Sequence, residues 1–150
     1  MKFPSVSGSN LLRQKISLPE GFTGELNIVC IAFQQWQQAL VDSWVPLVEH
    51  IIELMPQVQF YELPTIYQMN VISRTFINEG MRAGIPDPKT RAHTITLYID
   101  KVAFRKALSI PHEETIYVLV VNKMGEVTWR TEGAYTEEKG RALTNFIEGY

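Results

Sequence analysis

Cysteine is nearly absent from this sequence, since Cys30 is the only one among 150 residues. A single thiol forms no internal disulfide, and the chain has no Cys-x-x-Cys pair for redox chemistry or zinc binding. The histidines His50, His93 and His112 lie on different predicted elements, without a spacing that brings two metal ligands to one face. We therefore expect no catalytic dithiol and no metal site.

An excess of positive charge is also lacking, because 14 Lys and Arg residues stand against 16 Asp and Glu residues. Nucleic acid is therefore not expected as a partner, since a phosphate backbone attracts basic surfaces. The longest apolar runs, such as Ile28–Phe33, have the length of a strand. A membrane span needs about 20 apolar residues, and no apolar signal segment follows Met1. We expect no transmembrane segment and a cytoplasmic location.

Glycine-rich phosphate motifs and the G-x-S-x-G nucleophile motif do not occur either, so no cofactor and no catalytic residue are predicted. What the chain does contain is apolar residues, at 45% of the total. That content supports one domain with a substantial core at this length. We expect a single domain, with an N-terminal β-hairpin extension over residues 1–24 and a core over residues 25–150. Ser7-Gly8-Ser9 predicts the turn of that hairpin.

Apolar periodicity predicts the elements of the core. A continuous apolar run is typical of a buried strand, and apolar residues at i, i+3, i+4 and i+7 are typical of a helix. The predicted order is strand Leu26–Phe33, helix Trp44–Met55, strand Val58–Leu63 ended by Pro64, helix Met69–Ile77, a stiff loop Pro86–Pro88, strand Thr94–Ile99, a short helix capped by Asp100, hairpin strands Thr115–Val121 and Glu126–Glu132, and a last helix capped by Thr136. This order indicates an α/β fold with a central mixed sheet flanked by helices.

The order of elements resembles the thioredoxin-like superfamily. Its redox members carry Trp-Cys-x-x-Cys after the first core strand, and aligning on Trp36 puts Gln37 to Leu40 at those positions. Aligning on the helix proline Pro46 puts Gln38 to Val41 there, and both sulfurs are absent in either alignment. Redox members also have a cis-proline before the third core strand, where this chain has Arg91-Ala92-His93-Thr94. The resemblance therefore implies the fold without dithiol chemistry.

A narrower resemblance is to the assembly-factor family for the membrane sector of mitochondrial ATP synthase and its bacterial relatives. It rests chiefly on Ser43-Trp44-Val45-Pro46 and on Gly125-Glu126-Val127-Thr128-Trp129-Arg130. The resemblance implies a non-catalytic, protein-binding or chaperone-like assembly role. We expect a protein partner of unknown identity, and a monomer or weak homodimer.

A glutamine-rich loop with one tryptophan follows the first core strand. Ligands of open α/β sheets favour the carboxyl ends of strands, and uncharged amides beside an aromatic ring suit a peptide or small polar ligand. The alternative is that Trp36 packs on its own domain as the start of a helix. The candidate binding face consists of Gln35, Trp36, Gln37, Gln38, Pro64, Arg91, His93 and Thr94.

Two other functions are compatible with the sequence. One is a thiol-dependent peroxidase or thiol transferase that uses Cys30, although a cysteine amid apolar strand residues is typical of a small buried hydrophobe. The other is a small-ligand-binding domain that uses the crevice at Trp36.

Overall fold

The computed structural model describes residues 1–67, 81 and 87–150 of the chain. The predicted helix Met69–Ile77 and most of the predicted loop before Asp87 lie outside these residues. Strands and helices are numbered in chain order. They are β1 Val6–Asn10, β2 Lys15–Leu18, β3 Leu26–Ala32, α1 Gln38–Asp42, α2 Val45–Leu54, β4 Val58–Ile66, α3 Pro88–His93, β5 Ile95–Tyr98, α4 Lys101–Ala107, β6 Tyr117–Asn122, β7 Val127–Glu132 and α5 Glu137–Glu148.

The described strands form one mixed sheet in the order β2-β1-β5-β4-β3-β6-β7. Strands β3, β4 and β5 run parallel to one another, whereas β6 pairs antiparallel with β3 and β7 pairs antiparallel with β6. The predicted α/β class with a mixed sheet is confirmed. In the part of the chain described, no helix is long and apolar enough to cross a bilayer.

Strand β3 organises the core because both of its faces are buried. Val29 and Ile31 point into one apolar cluster, and Ile28 and Cys30 point into the cluster on the opposite face. The second cluster takes its outer layer from α2 and α5, through residues such as Val48 and Leu143. A strand enclosed on both faces needs a continuous apolar sequence, as predicted for this segment.

The N-terminal hairpin exists, but its predicted turn was wrong. Ser7-Gly8-Ser9 lies inside β1, and the chain reverses after Asn10, whose side-chain oxygen accepts hydrogen bonds from the backbone N–H groups of Leu12 and Gln14, both at 3.0 Å. Gly8 serves close packing instead, because a Cβ there would lie 2.5 Å from the Thr96 carbonyl oxygen in β5.

Pro64 does not end β4, which continues to Ile66. Proline has no N–H to donate to a ladder. Pro64 keeps its register with Ala32 in β3. On its other side, β4 makes an isolated bridge from Glu62 to Thr94, just before β5, and then pairs with β5 from Thr65 and Leu97 onward. The proline therefore interrupts pairing with one neighbour and leaves the strand intact.

The predicted caps are confirmed. The Asp100 carboxylate accepts from the N–H groups of Val102 and Ala103 at the start of α4, and the Thr136 hydroxyl accepts from Lys139 at the start of α5. The segment around Asp87, predicted to be a loop, caps α3, because the Asp87 side chain accepts from the Thr90 N–H. Side-chain oxygens satisfy the free N–H groups of a first helical turn.

Trp44 connects α2 to the loop after β7. Its side chain is fully buried, and its Nε1 donates to the Gly133 carbonyl oxygen at 3.0 Å. The Tyr135 ring packs edge-on against it at 5.6 Å, and the Tyr135 N–H donates to the Ser43 hydroxyl oxygen at 3.0 Å. The Ser-Trp-x-Pro motif of the sequence therefore has a structural role.

Replacing Trp44 with Phe removes that hydrogen bond and leaves a cavity, so we expect the free energy of unfolding to fall by about 2 to 3 kcal/mol. Urea denaturation followed by circular dichroism measures the change. The matched control is Trp36→Phe at an exposed position, which should change stability by less than about 0.5 kcal/mol. Equal stability losses for the two variants would contradict the buried role of Trp44.

Candidate functional site

The chain leaves β3 through a short turn at the carboxyl end of the strand. A single 3-10 turn, Gln35–Gln37, follows Gln34 and leads directly into α1. We call residues 34–37 the glutamine turn. It lies directly before or overlaps the dithiol positions of redox members, which begin at Gln37 in the alignment on Trp36 and at Gln38 in the alignment on Pro46.

Gln37 is fully buried and fixes the glutamine turn from within. Its side-chain oxygen accepts from the backbone N–H groups of Phe33 at 2.8 Å and Gln34 at 3.3 Å. Its side-chain nitrogen donates to the Glu113 carbonyl oxygen at 2.8 Å. Both ends of the amide therefore have hydrogen-bond partners, and the side chain is structural.

Glu113 holds the other side of the turn. Its carbonyl oxygen also accepts from the side chain of Gln34, at 2.9 Å. Its carboxylate contacts Lys101 Nζ at 3.2 Å and Arg105 Nε at 3.1 Å, and Lys101 also donates to the Phe33 carbonyl oxygen at 3.1 Å. Two positive groups of α4 thus anchor the segment that the glutamine turn contacts.

Trp36 projects from this fixed turn into solvent, with 57% of its side chain exposed. Its Nε1 donates to the side-chain oxygen of Gln34 at 3.1 Å. A second exposed aromatic, Tyr67, lies at the same edge of the sheet, since its ring is 4.9 Å from Lys101 Nζ. The edge therefore combines a fixed backbone with exposed aromatic surface.

The segment that contacts the glutamine turn precedes β6, not β5. We expected residues 91–94 there, by analogy with the cis-proline of redox relatives. Instead, His93 lies beside β4, where its Nδ1 is 2.9 Å from the Phe60 carbonyl oxygen and its ring stacks on Tyr61 at 4.5 Å. Thr94 is buried and donates its hydroxyl to the Thr90 carbonyl oxygen. The side chain of Arg91 lies outside the described part of the structure.

Gln38 belongs to a different environment, a groove of about 510 Å³ that His93 also lines. The Gln38 amide nitrogen donates to Asp42 at 2.9 Å and to Glu62 at 3.0 Å. Burial raises the pKa of Glu62 and the Asp42 charge adds to this, although the Gln38 hydrogen bond opposes it. Burial lowers the pKa of His93. Of the predicted face, Gln35, Trp36 and Gln37 therefore belong to the turn, whereas Gln38 and His93 line this groove. Pro64 of β4 and the buried Thr94 belong to neither.

Cys30 lies in the middle of β3 with no exposed surface, in register with Glu62 of β4 and Val118 of β6. Burial raises the pKa of the Cys30 thiol well above its usual value, and the nearby Glu62 carboxylate raises it further. The thiolate is the reactive form of cysteine. Neither the location nor the ionisation of Cys30 suits a nucleophile.

The sequence did not identify Lys101, Arg105 and Glu113 as part of the site. Lys101 and Arg105 are four residues apart and therefore lie on one face of α4. This spacing weakly indicated that the face contacts an acidic side chain. Nothing local marks Glu113, because its partner Gln37 is 76 residues away along the chain.

Comparisons with known proteins agree with the thioredoxin-like fold described above. The family model described as ATP10 protein matches residues 1–149. No curated protein matches the chain. The thioredoxin domain of a thiol-disulfide oxidoreductase from Bacteroides vulgatus has a TM-score of 0.63 at 14% identity, covering 98% of this chain and 96% of that one.

Two further solved structures are similar. A thiol:disulfide interchange protein from Bacteroides sp. has a TM-score of 0.61 at 16% identity, with coverage of 99% and 87%. AhpC from Mycobacterium tuberculosis has a TM-score of 0.58 at 12% identity, with coverage of 98% and 91%. These likenesses confirm the predicted thioredoxin-like fold, and at such identities they establish the fold alone.

Replacing Gln37 with Leu keeps the volume but leaves buried N–H and carbonyl groups without partners. We expect the free energy of unfolding to fall by about 3 kcal/mol, measured by urea denaturation. The matched control is Gln35→Leu in the same turn, whose exposed side chain should contribute less than about 0.5 kcal/mol. A Gln37→Leu protein as stable as the wild type would show that the buried amide does not fix the turn.

Cys30 should react with a small thiol reagent only when the protein unfolds, because its sulfur is enclosed and its pKa is raised. We expect reaction of the native protein near neutral pH to be at least about a hundredfold slower than in denaturant, because global opening limits access. Absorbance of the released thiol product follows the reaction. Rapid modification of native protein would restore the peroxidase or thiol-transferase alternative.

Proposed function

This chain belongs to the ATP10 protein family, the ATP synthase assembly-factor family that its sequence resembles, and we propose that it acts there as a non-catalytic protein-binding factor. The observation that carries the proposal is the glutamine turn. In the alignment on Trp36, Gln37 takes the position of the first redox thiol, and its amide is used entirely for structure, while Trp36 beside it is exposed.

The side chains of the glutamine turn support a role without redox chemistry. Thiol–disulfide exchange requires a thiolate with low pKa at an accessible site and a second thiol to resolve the mixed disulfide. A glutamine amide supplies neither, and the single thiol of the chain is enclosed in β3. The fold is therefore used for recognition.

The binding surface is built on Trp36. Tryptophan is enriched among the residues that contribute most to protein–protein affinity, because a large rigid ring loses little entropy on binding. Exposed Gln35 adds an uncharged amide next to it. In this proposal Gln38, Pro64 and His93 extend the face toward β4, and Arg91 of α3 stays a predicted member of it. Gln37 and Thr94 support it from inside, since both are buried.

Complementation of a deletion strain of the source organism tests this function. We expect the level of assembled ATP synthase on native gels to fall in the deletion strain and to be restored by the wild type and by Cys30→Ala. Trp36→Ala should restore less than about a tenth of the wild-type level, because a central interface tryptophan typically contributes 2 kcal/mol or more.

The matched control is Tyr150→Ala, which truncates another aromatic side chain of similar exposure, 67%, at the end of the chain. It should restore assembly fully. Restoration by Trp36→Ala would remove the proposed surface, and failure of Cys30→Ala at normal protein level would contradict a non-catalytic role.

A further inference from the structure

We propose that the partner packs an apolar side chain flat against the Trp36 ring and makes no hydrogen bond to the indole. This inference rests on the proposed function and specifies the chemistry of its partner. The carrying observation is that the polar hydrogen of Trp36 is already bound within the chain, while 57% of the side chain is exposed.

The indole has a single polar hydrogen, on Nε1, and no acceptor. That hydrogen is donated to the side-chain oxygen of Gln34 at 3.1 Å. The orientation of the Gln34 amide is in turn fixed, because its nitrogen donates to the Glu113 carbonyl oxygen at 2.9 Å. Freeing the indole hydrogen for a partner would break a bond that the fold already makes. What Trp36 offers is the carbon surface of its ring.

The charges near this surface are balanced, which disfavours a strongly charged partner. Lys101 and Arg105 both contact the carboxylate of Glu113, and Glu114 adds a second negative group next to it in the sequence. The exposed groups of the turn itself, such as Gln35, are uncharged. Among the residues that the structure describes at this edge, these positive and negative groups balance, so we expect no strong attraction of a cation or an anion.

Two further exposed apolar side chains lie near Lys101, which itself contacts the end of β3. Tyr67 is 53% exposed, and Val102 is 52% exposed at the residue after Lys101. Exposed apolar groups around an aromatic anchor are typical of the central part of a protein interface, with polar groups at its rim. An apolar segment of the partner protein fits this arrangement better than a polar or ionic one.

Two variants of Trp36 distinguish an apolar contact with the ring from a hydrogen bond to the indole. Trp36→Phe keeps an aromatic carbon surface without any polar hydrogen, whereas Trp36→His keeps a ring N–H donor with a much more polar surface. In the complementation assay, we expect Trp36→Phe to restore assembled ATP synthase to within about twofold of the wild type. Trp36→His should fall to the level of Trp36→Ala. Urea midpoints of the purified variants confirm that each one folds.

The reverse order, with His active and Phe inactive, would overturn the inference, and so would equal restoration or equal loss by the two variants. Full activity of Trp36→Ala would instead contradict the proposed function itself.

A separate NMR measurement checks the hydrogen bond between Trp36 and Gln34 in the purified protein. The indole ¹H–¹⁵N signal of Trp36 should shift in Gln34→Ala and stay unchanged in Gln35→Ala, and an unshifted signal in Gln34→Ala would also overturn the inference.

Discussion

The site depends on one buried amide, the side chain of Gln37. Its oxygen binds two backbone N–H groups at the end of β3, and its nitrogen reaches the Glu113 carbonyl oxygen on a segment that is distant in sequence. Buried polar groups are costly unless every donor and acceptor is paired. This amide meets that condition, so its hydrogen bonds stabilise the observed conformation of the turn.

The same interaction supports the proposed use of this thioredoxin-like fold for recognition. A redox site needs an accessible sulfur and some freedom to exchange partners. Here the Gln37 amide joins the end of β3 to the residues before β6. Lys101 and Arg105 neutralise the Glu113 carboxylate on the far side of that junction. The result is a rigid support for Trp36, and rigidity lowers the entropy lost on binding.

Local sequence patterns predicted most of the fold. The apolar run of β3, the stripe of α2 and the caps Asp100 and Thr136 are each encoded within a few neighbouring residues, so the sequence alone indicates them. Gly8 was misleading because a glycine is used both in turns and where two strands approach closely, and only the pairing of β1 with β5 distinguishes these uses. The prediction at Pro64 was wrong because it treated a lost N–H as the end of a strand.

The candidate site was only partly predictable. The glutamine turn and the lack of sulfur were visible in the sequence, whereas the role of Glu113 depends on long-range pairing that no local pattern specifies. Amide hydrogen exchange tests the central interaction most directly. The N–H groups of Phe33 and Gln34 should exchange about as slowly as those in the middle of β3, because Gln37 binds both. Exchange of these two amides as fast as that of an unprotected loop would contradict the account.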